Sequence, residues 1–156
     1  MDPQPDKDLL EKLMLEALRE AARAEELGEV PVGAVVFLDG EILGRGCNRP
    51  VSAGDPTAHA EIEALREAAR ARRNYRLDGA VLVSTLEPCP MCAGACLQAR
   101  IGTLAFGARD PKTGAVRSLY RLLDDPRHNH RIEIVEGILA EECSRRLQDF
   151  FKARRG

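Results

Sequence analysis

Apolar positions between residues 7 and 27 recur at Leu10, Leu13, Met14, Ala17, Leu18 and Ala21. That spacing follows the helical turn and predicts an amphipathic helix, ended by Gly28. Residues 32–38 form an apolar run rich in β-branched side chains, and Asp39-Gly40 is a two-residue hairpin signal. Residues 41–46 then return as a second strand. Residues 48–57 are rich in Pro, Gly, Asp and Ser and read as loop. A helix rich in Ala, Glu and Arg follows over 58–73, a short buried strand over 80–84, and a helix over 90–99 with Pro90 in its first turn. Residues 103–106 are another short strand. Residues 107–130 read mostly as loop with one helical turn over 118–123, before a strand over 131–135 and a closing helix over 140–153. The order α-β-β-α-β-α-β-α-β-α predicts an α/β protein, a layered sheet with helices on both faces. The tight first connection makes strands one and two antiparallel, and helical crossovers allow the others to run parallel.

The chain has 156 residues, enough for one domain with a real core. With 44% hydrophobic residues, no apolar run approaches the roughly 20 residues of a membrane span. The opening run Met1-Asp2-Pro3-Gln4-Pro5-Asp6 has neither a basic nor an apolar leader region. The expectation is therefore no secretory signal and a cytoplasmic location. Five cysteines, an odd number, argue against a disulfide framework and toward metal ligation or burial. The net charge of -2 gives no hint of a nucleic-acid partner. Its distribution changes that picture. Arg66, Arg70, Arg72, Arg73 and Arg76 cluster, as do Arg145, Arg146, Lys152, Arg154 and Arg155. Such clusters are either solvated helix faces or local surface for phosphates.

Two segments carry chemistry, His59-Ala60-Glu61 and Pro88-Cys89-Pro90-Met91-Cys92. Three residues apart in a first helical turn, Cys89 and Cys92 share a face and can offer two sulfurs to one ion. A helix N-terminus favours the thiolate that zinc requires. With His59 as a third ligand, one coordination position stays open for water, the layout of a catalytic zinc. Glu61 sits two residues from His59 and points elsewhere, which suits an acid/base beside the water. Taken singly, a Cys-x-x-Cys pair is often a structural zinc half-site or a redox pair. A structural site would need a fourth ligand from Cys47, Cys96 or Cys143, for which packing is the simpler role. The combination H-x-E with P-C-x-x-C is the signature of zinc deaminases acting on nucleobases.

At these residues the chain resembles the cytidine and deoxycytidylate deaminase superfamily, and within it the bacterial tRNA-specific adenosine deaminases. The likeness is carried by Pro31-Val32-Gly33-Ala34-Val35, Asn48-Arg49-Pro50, Asp55-Pro56-Thr57-Ala58-His59-Ala60-Glu61-Ile62 and Thr85-Leu86-Glu87-Pro88-Cys89. Further on it is carried by Phe106-Gly107-Ala108-Arg109-Asp110, Lys112-Thr113-Gly114-Ala115, Asn129-His130-Arg131 and Asp149-Phe150-Phe151. The resemblance implies a three-layer α/β/α fold with a mixed five-stranded sheet, a homodimer, and one Zn2+ per subunit held by His59, Cys89 and Cys92. It implies hydrolysis of the wobble adenosine of an arginine tRNA to inosine, with Glu61 moving protons and Asn48 hydrogen-bonded to the flipped base. Asp110, Asn129 and His130 match positions close to the RNA.

Several readings stay open at this level. Asn48 and Asp110 are also natural turn residues before Pro50 and Pro111. Arg109 and Lys112 are candidates for phosphate contacts. On a helix Phe150 and Phe151 point about 100° apart, so one ring can pack inward while the other stacks on a base. Phe150 is counted among the substrate-binding candidates, with the choice between the rings open. Two rival functions remain. A deaminase of free bases or nucleosides would share all the zinc chemistry. A non-catalytic, zinc-stabilised RNA-binding module would need a fourth protein ligand and would leave Glu61 idle.

Overall fold

A computed structural model describes residues 5–155. The reading of the N-terminus rests on residues 1–6, of which 1–4 lie outside the described residues, as does Gly156. Helix α1 (Lys7–Glu26) starts where the Asp6 side chain accepts the Leu9 N–H at 2.8 Å. Its apolar stripe, Leu10, Leu13, Met14, Ala17, Ala21 and Ala24, is buried. Strands β1 (Gly33–Leu38) and β2 (Glu41–Cys47) form the hairpin, joined at Asp39 and Gly40, both with positive φ. That is the two-residue turn whose twist matches the strands. Next come α2 (Pro50–Ala53), α3 (Ala60–Arg72), β3 (Val81–Leu86), α4 (Pro90–Ala99), β4 (Thr103–Ala108), β5 (Glu133–Glu136) and α5 (Ala140–Arg155).

The five strands make one mixed sheet in the order β2-β1-β3-β4-β5. β1 is antiparallel to both neighbours, and β3, β4 and β5 run parallel. The antiparallel β1–β3 pairing was not legible in the element order, because the long α3 crossover permits either direction. Alternate side chains go to opposite faces. On one face Val35, Val81, Val83 and Ala105 pack with α1 and with Cys143 of α5. On the other, Val36, Leu82, Leu104 and Phe106 pack against α3 and α4. The result is the three-layer α/β/α architecture expected.

Two loop assignments differ. Within 48–57 the chain forms the short helix α2, because Pro50 begins it and the Glu29 carboxylate accepts the Val51 and Ser52 N–H groups at 3.4 and 2.6 Å. That cap comes from more than twenty residues away, outside any local window. Residues 118–123 form no helical turn. The N–H groups of Val116, Arg117 and Ser118 go to the Glu87 carboxylate instead.

Candidate zinc centre and cleft

The site sits where α3 and α4 begin, beyond the C-terminal end of β3. Helix α3 starts at Ala60, so His59 is its cap and not part of its first turn. The preceding chain is fixed by a turn: Asp55 accepts from Thr57 and its carbonyl from the Ala58 N–H, and Arg49 N–H donates to the Ala58 carbonyl at 3.0 Å. Helix α3 itself lies close on β2. A Cβ at Gly46 would strike the Ala60 carbonyl, and one at Gly44 the Ala64 carbonyl, so only glycine lets the helix this near. Cys89 is likewise the cap of α4, with Pro90 beginning the helix and Cys92 in its first turn.

His59, Cys89 and Cys92 converge as a three-member ligand cluster. A tetrahedral zinc, with bonds of about 2.3 Å to sulfur and about 2.0–2.1 Å to nitrogen, holds these atoms about 3.6 Å apart. His59 Nδ1 lies 3.6 Å from Cys89 Sγ and 3.5 Å from Cys92 Sγ. The donor set therefore fits zinc in kind and in spacing. A bond from the Cys92 thiol, opposed by burial and aided by His59, pulls Cys89 down to about 4. The same bond, with burial, pushes Cys92 up. The two thiols are coupled, and a metal ion that binds both displaces their protons. Cys96, Cys47 and Cys143 are buried and, among the described residues, none joins the cluster.

His59 and Cys89 open into a cleft of about 180 Å³ that Val30, Val32, Asn48, Glu61, Leu86, Glu87, Asp110 and Thr113 also line, with Cys92 buried behind them. Glu61 is 4% exposed and stands outside the ligand cluster. Burial pushes its carboxyl up to about 7. Asn48 is anchored by its own Nδ2, which donates to the Val30 carbonyl at 3.3 Å.

The other expected residues divide. Asp110 reaches the cleft, yet its carboxylate already accepts from Lys112 N–H, Thr113 N–H and the Thr113 hydroxyl, so it also serves as a turn residue. Arg109 is forked onto Glu136 at 2.9 and 3.0 Å, which occupies the guanidinium considered for phosphate. Asn129 and His130 are not brought to the cleft. His130 Nε2–H donates to the Ile101 carbonyl at 2.6 Å, just before β4, whereas the zinc ligands lie past the opposite ends of these parallel strands. The two phenylalanines divide: Phe150 is 8% exposed, under the Arg154 guanidinium at 4.6 Å, while Phe151 is 42% exposed. The inward face of α5 is the one that buries Cys143 and Phe150, and Arg154 also reaches the Gly28 carbonyl. Sequence reasoning missed Glu87 and Glu29, two buried carboxylates whose partners are distant backbone N–H groups; a lone acid beside apolar positions was the only local signal.

Residues 7–108 match the family model of the cytidine and deoxycytidylate deaminase zinc-binding region. A tRNA-specific adenosine deaminase of Haemophilus influenzae is 53% identical over 93% of this chain and 84% of its own length. One of Bacillus subtilis is 48% identical over 93% and 90%. A solved structure from studies of A-to-I editing by tRNA:A34 deaminases at the wobble position superposes with a TM-score of 0.84, 46% identity, and coverage of 87% of this chain and 99% of that one. A guanine deaminase from Nitrosomonas europaea, at 24% identity and TM-score 0.78, shares the fold. Zinc is accordingly the metal of the His59, Cys89 and Cys92 cluster, and no helix among the described residues is long and apolar enough to cross a membrane. The chain belongs to the cytidine and deoxycytidylate deaminase family, in the branch of zinc-dependent deaminases that the Haemophilus and Bacillus relatives represent.

Proposed function

We propose that this protein hydrolyses the wobble adenosine of a tRNA anticodon, that of an arginine tRNA, to inosine. The observation that carries the reaction type is the position of Glu61: buried, in the same cleft as the ligands His59 and Cys89, and outside the three-member cluster. The substrate class rests on relatives named for tRNA adenosine that match nearly the whole chain.

Zinc, when bound, activates water for attack at an electron-poor ring carbon. Glu61 accepts one proton of the attacking water and delivers it to adenine N1, then takes the proton of the new C6 hydroxyl to the amino nitrogen, so that the C6–N bond breaks, ammonia leaves and the C6 carbonyl of inosine forms. Burial works against the charged form of Glu61, which favours a group that holds a proton as well as accepts one. Asn48 stands at the rim with its amide nitrogen tied to Val30, leaving its carbonyl oxygen to accept from the base. Val30, Val32 and Leu86 give the ring apolar walls. The base must leave its stack to enter, which costs least in a single-stranded loop such as an anticodon. Phe151, exposed beside Lys152 and Arg155, offers a stacking surface next to cationic side chains. The protein acts in the cytoplasm as a homodimer, with Leu119 and Tyr120 among the apolar side chains exposed for association.

The test is incubation of the zinc-loaded protein with an anticodon stem-loop and, separately, with free adenosine, cytidine and guanine. Inosine in the stem-loop with little turnover of the free compounds is expected. Equal or better turnover of a free base or nucleoside would replace the RNA reading with a small-molecule one.

A further inference from the structure

Glu87 belongs to none of the roles above. Its side chain is 2% exposed, at the end of β3, and among the described residues no arginine or lysine pairs with it. Five donors from one segment converge on it instead. Oε1 accepts from the Asp110 N–H at 3.0 Å and from the Ser118 hydroxyl. Oε2 accepts from the N–H groups of Val116, Arg117 and Ser118 at 3.0, 2.6 and 2.9 Å. Gly114 passes directly over the carboxylate, where a Cβ would collide with it and with the Asp110 carbonyl.

A buried carboxylate that takes its whole donor set from one loop fixes the shape of that loop. The loop here is residues 110–118, and it brings Asp110 and Thr113 to the cleft wall. Asp110 closes the loop on itself through Lys112 and Thr113; Glu87 ties it to the sheet. The two ties together leave the wall little freedom, at a position where exposed Lys112 and Thr113 face solvent beside the cleft.

We propose that Glu87 is a positioning residue. By holding 110–118 it sets the substrate-facing wall of the cleft, and with it how tightly the target nucleotide and its flanking chain are held, without touching the reacting atoms. This rests on the RNA reading above. Glu87→Gln keeps the size of the side chain but replaces one acceptor oxygen by an NH2 group, which strands two or three of the five donors. Ser118→Ala removes a single donor and spares the rest.

The experiment compares zinc-loaded wild type, Glu87→Gln and Ser118→Ala by zinc per chain, KM and kcat on an anticodon stem-loop, and amide hydrogen exchange across 110–118. Zinc content is expected to stay at the wild-type level. Exchange at 116–118 should quicken in both variants. KM should rise by about 10- to 100-fold in Glu87→Gln, with a smaller rise in Ser118→Ala, and kcat should change less than KM. A merely structural role would lower the folded, zinc-loaded fraction, so that kcat and zinc fall together and KM stays fixed; that result, or unchanged exchange, overturns the proposal. If Glu87→Gln does not fold, the KM and exchange of Ser118→Ala decide. If wild type leaves the stem-loop unmodified, the substrate reading falls, and the exchange comparison alone shows whether Glu87 holds the wall.

Discussion

Glu61 and the three ligands were legible in the sequence because their chemistry is compressed into two short motifs, each at the start of a helix. Folding only had to bring the two helix starts together. Glu61→Gln should therefore retain zinc and fold while losing turnover by about 10²–10⁴-fold, the usual worth of a positioned acid/base; substantial activity in the zinc-loaded variant would remove Glu61 from the proton path. The two phenylalanines were less legible, since a helix presents adjacent residues to different sides and only packing decides which. Phe150 lies under Arg154 with Phe151 edge-to-face at 5.3 Å. Phe150→Ala should cost about 3 kcal/mol of stability, as for other buried rings. Phe151→Ala should leave the melting temperature nearly unchanged and weaken stem-loop binding by about 1 kcal/mol or more. Titrating each variant with labelled stem-loop and recording its melting curve separates the two roles, and the opposite pattern would put the RNA-facing ring at Phe150. Asn129 and His130 stand apart from the zinc cleft for a different reason: the sequence does not say at which end of a strand a loop residue ends up.

At the scale of elements, the pattern of apolar positions found all five strands and the main helices, and the three central strands β1, β3 and β4, buried on both sides, read as nearly continuous apolar runs. What it could not find were elements held by remote groups, such as α2 under Glu29 and the 110–118 turns under Glu87. The close approach of α3 to β2 was also invisible, although the glycines that allow it stand in the sequence. Gly46→Ala tests that contact. Its methyl group would meet the Ala60 carbonyl and the Ala64 N–H region, forcing α3 outward at the end that carries His59 and Glu61. Overpacking of this kind costs about 1–3 kcal/mol. We expect a lower melting temperature and faster loss of zinc to a chelator than in wild type. An unchanged zinc off-rate with lowered stability would mean that α3 shifts without moving its first turn.

At the scale of the whole molecule, the cleft depends on ties between layers that are far apart in the chain. Zinc is one, since its ligands join the starts of α3 and α4, and chelation should lower the melting temperature in step with the zinc released. Glu29 is another. It follows α1, is 4% exposed, and caps α2 through Val51 and Ser52. Arg154 of α5 holds the adjacent Gly28 carbonyl, so N-terminal helix, cleft rim and C-terminal helix meet there. Burial pushes the Glu29 carboxyl up, but the hydrogen bonds from Ser52 and Val51, with the charge of Arg154, outweigh it and hold the group below the usual carboxylate range. A depressed folded value means that the unfolded chain binds the proton first as acid is added. The stability Glu29 contributes is thus fully present above the unfolded value of about 4.3 and is lost as pH falls through the lower folded value. Glu29→Gln has no charge to titrate. Melting temperatures of wild type and Glu29→Gln from pH 7 to pH 3 should therefore differ by a constant amount down to about pH 5, then converge. Acid also releases zinc from both proteins alike, so the difference between the two curves isolates Glu29. A gap that stays constant to pH 3, or widens, would show that the charge on Glu29 does not stabilise the junction and that its side chain acts there by shape alone.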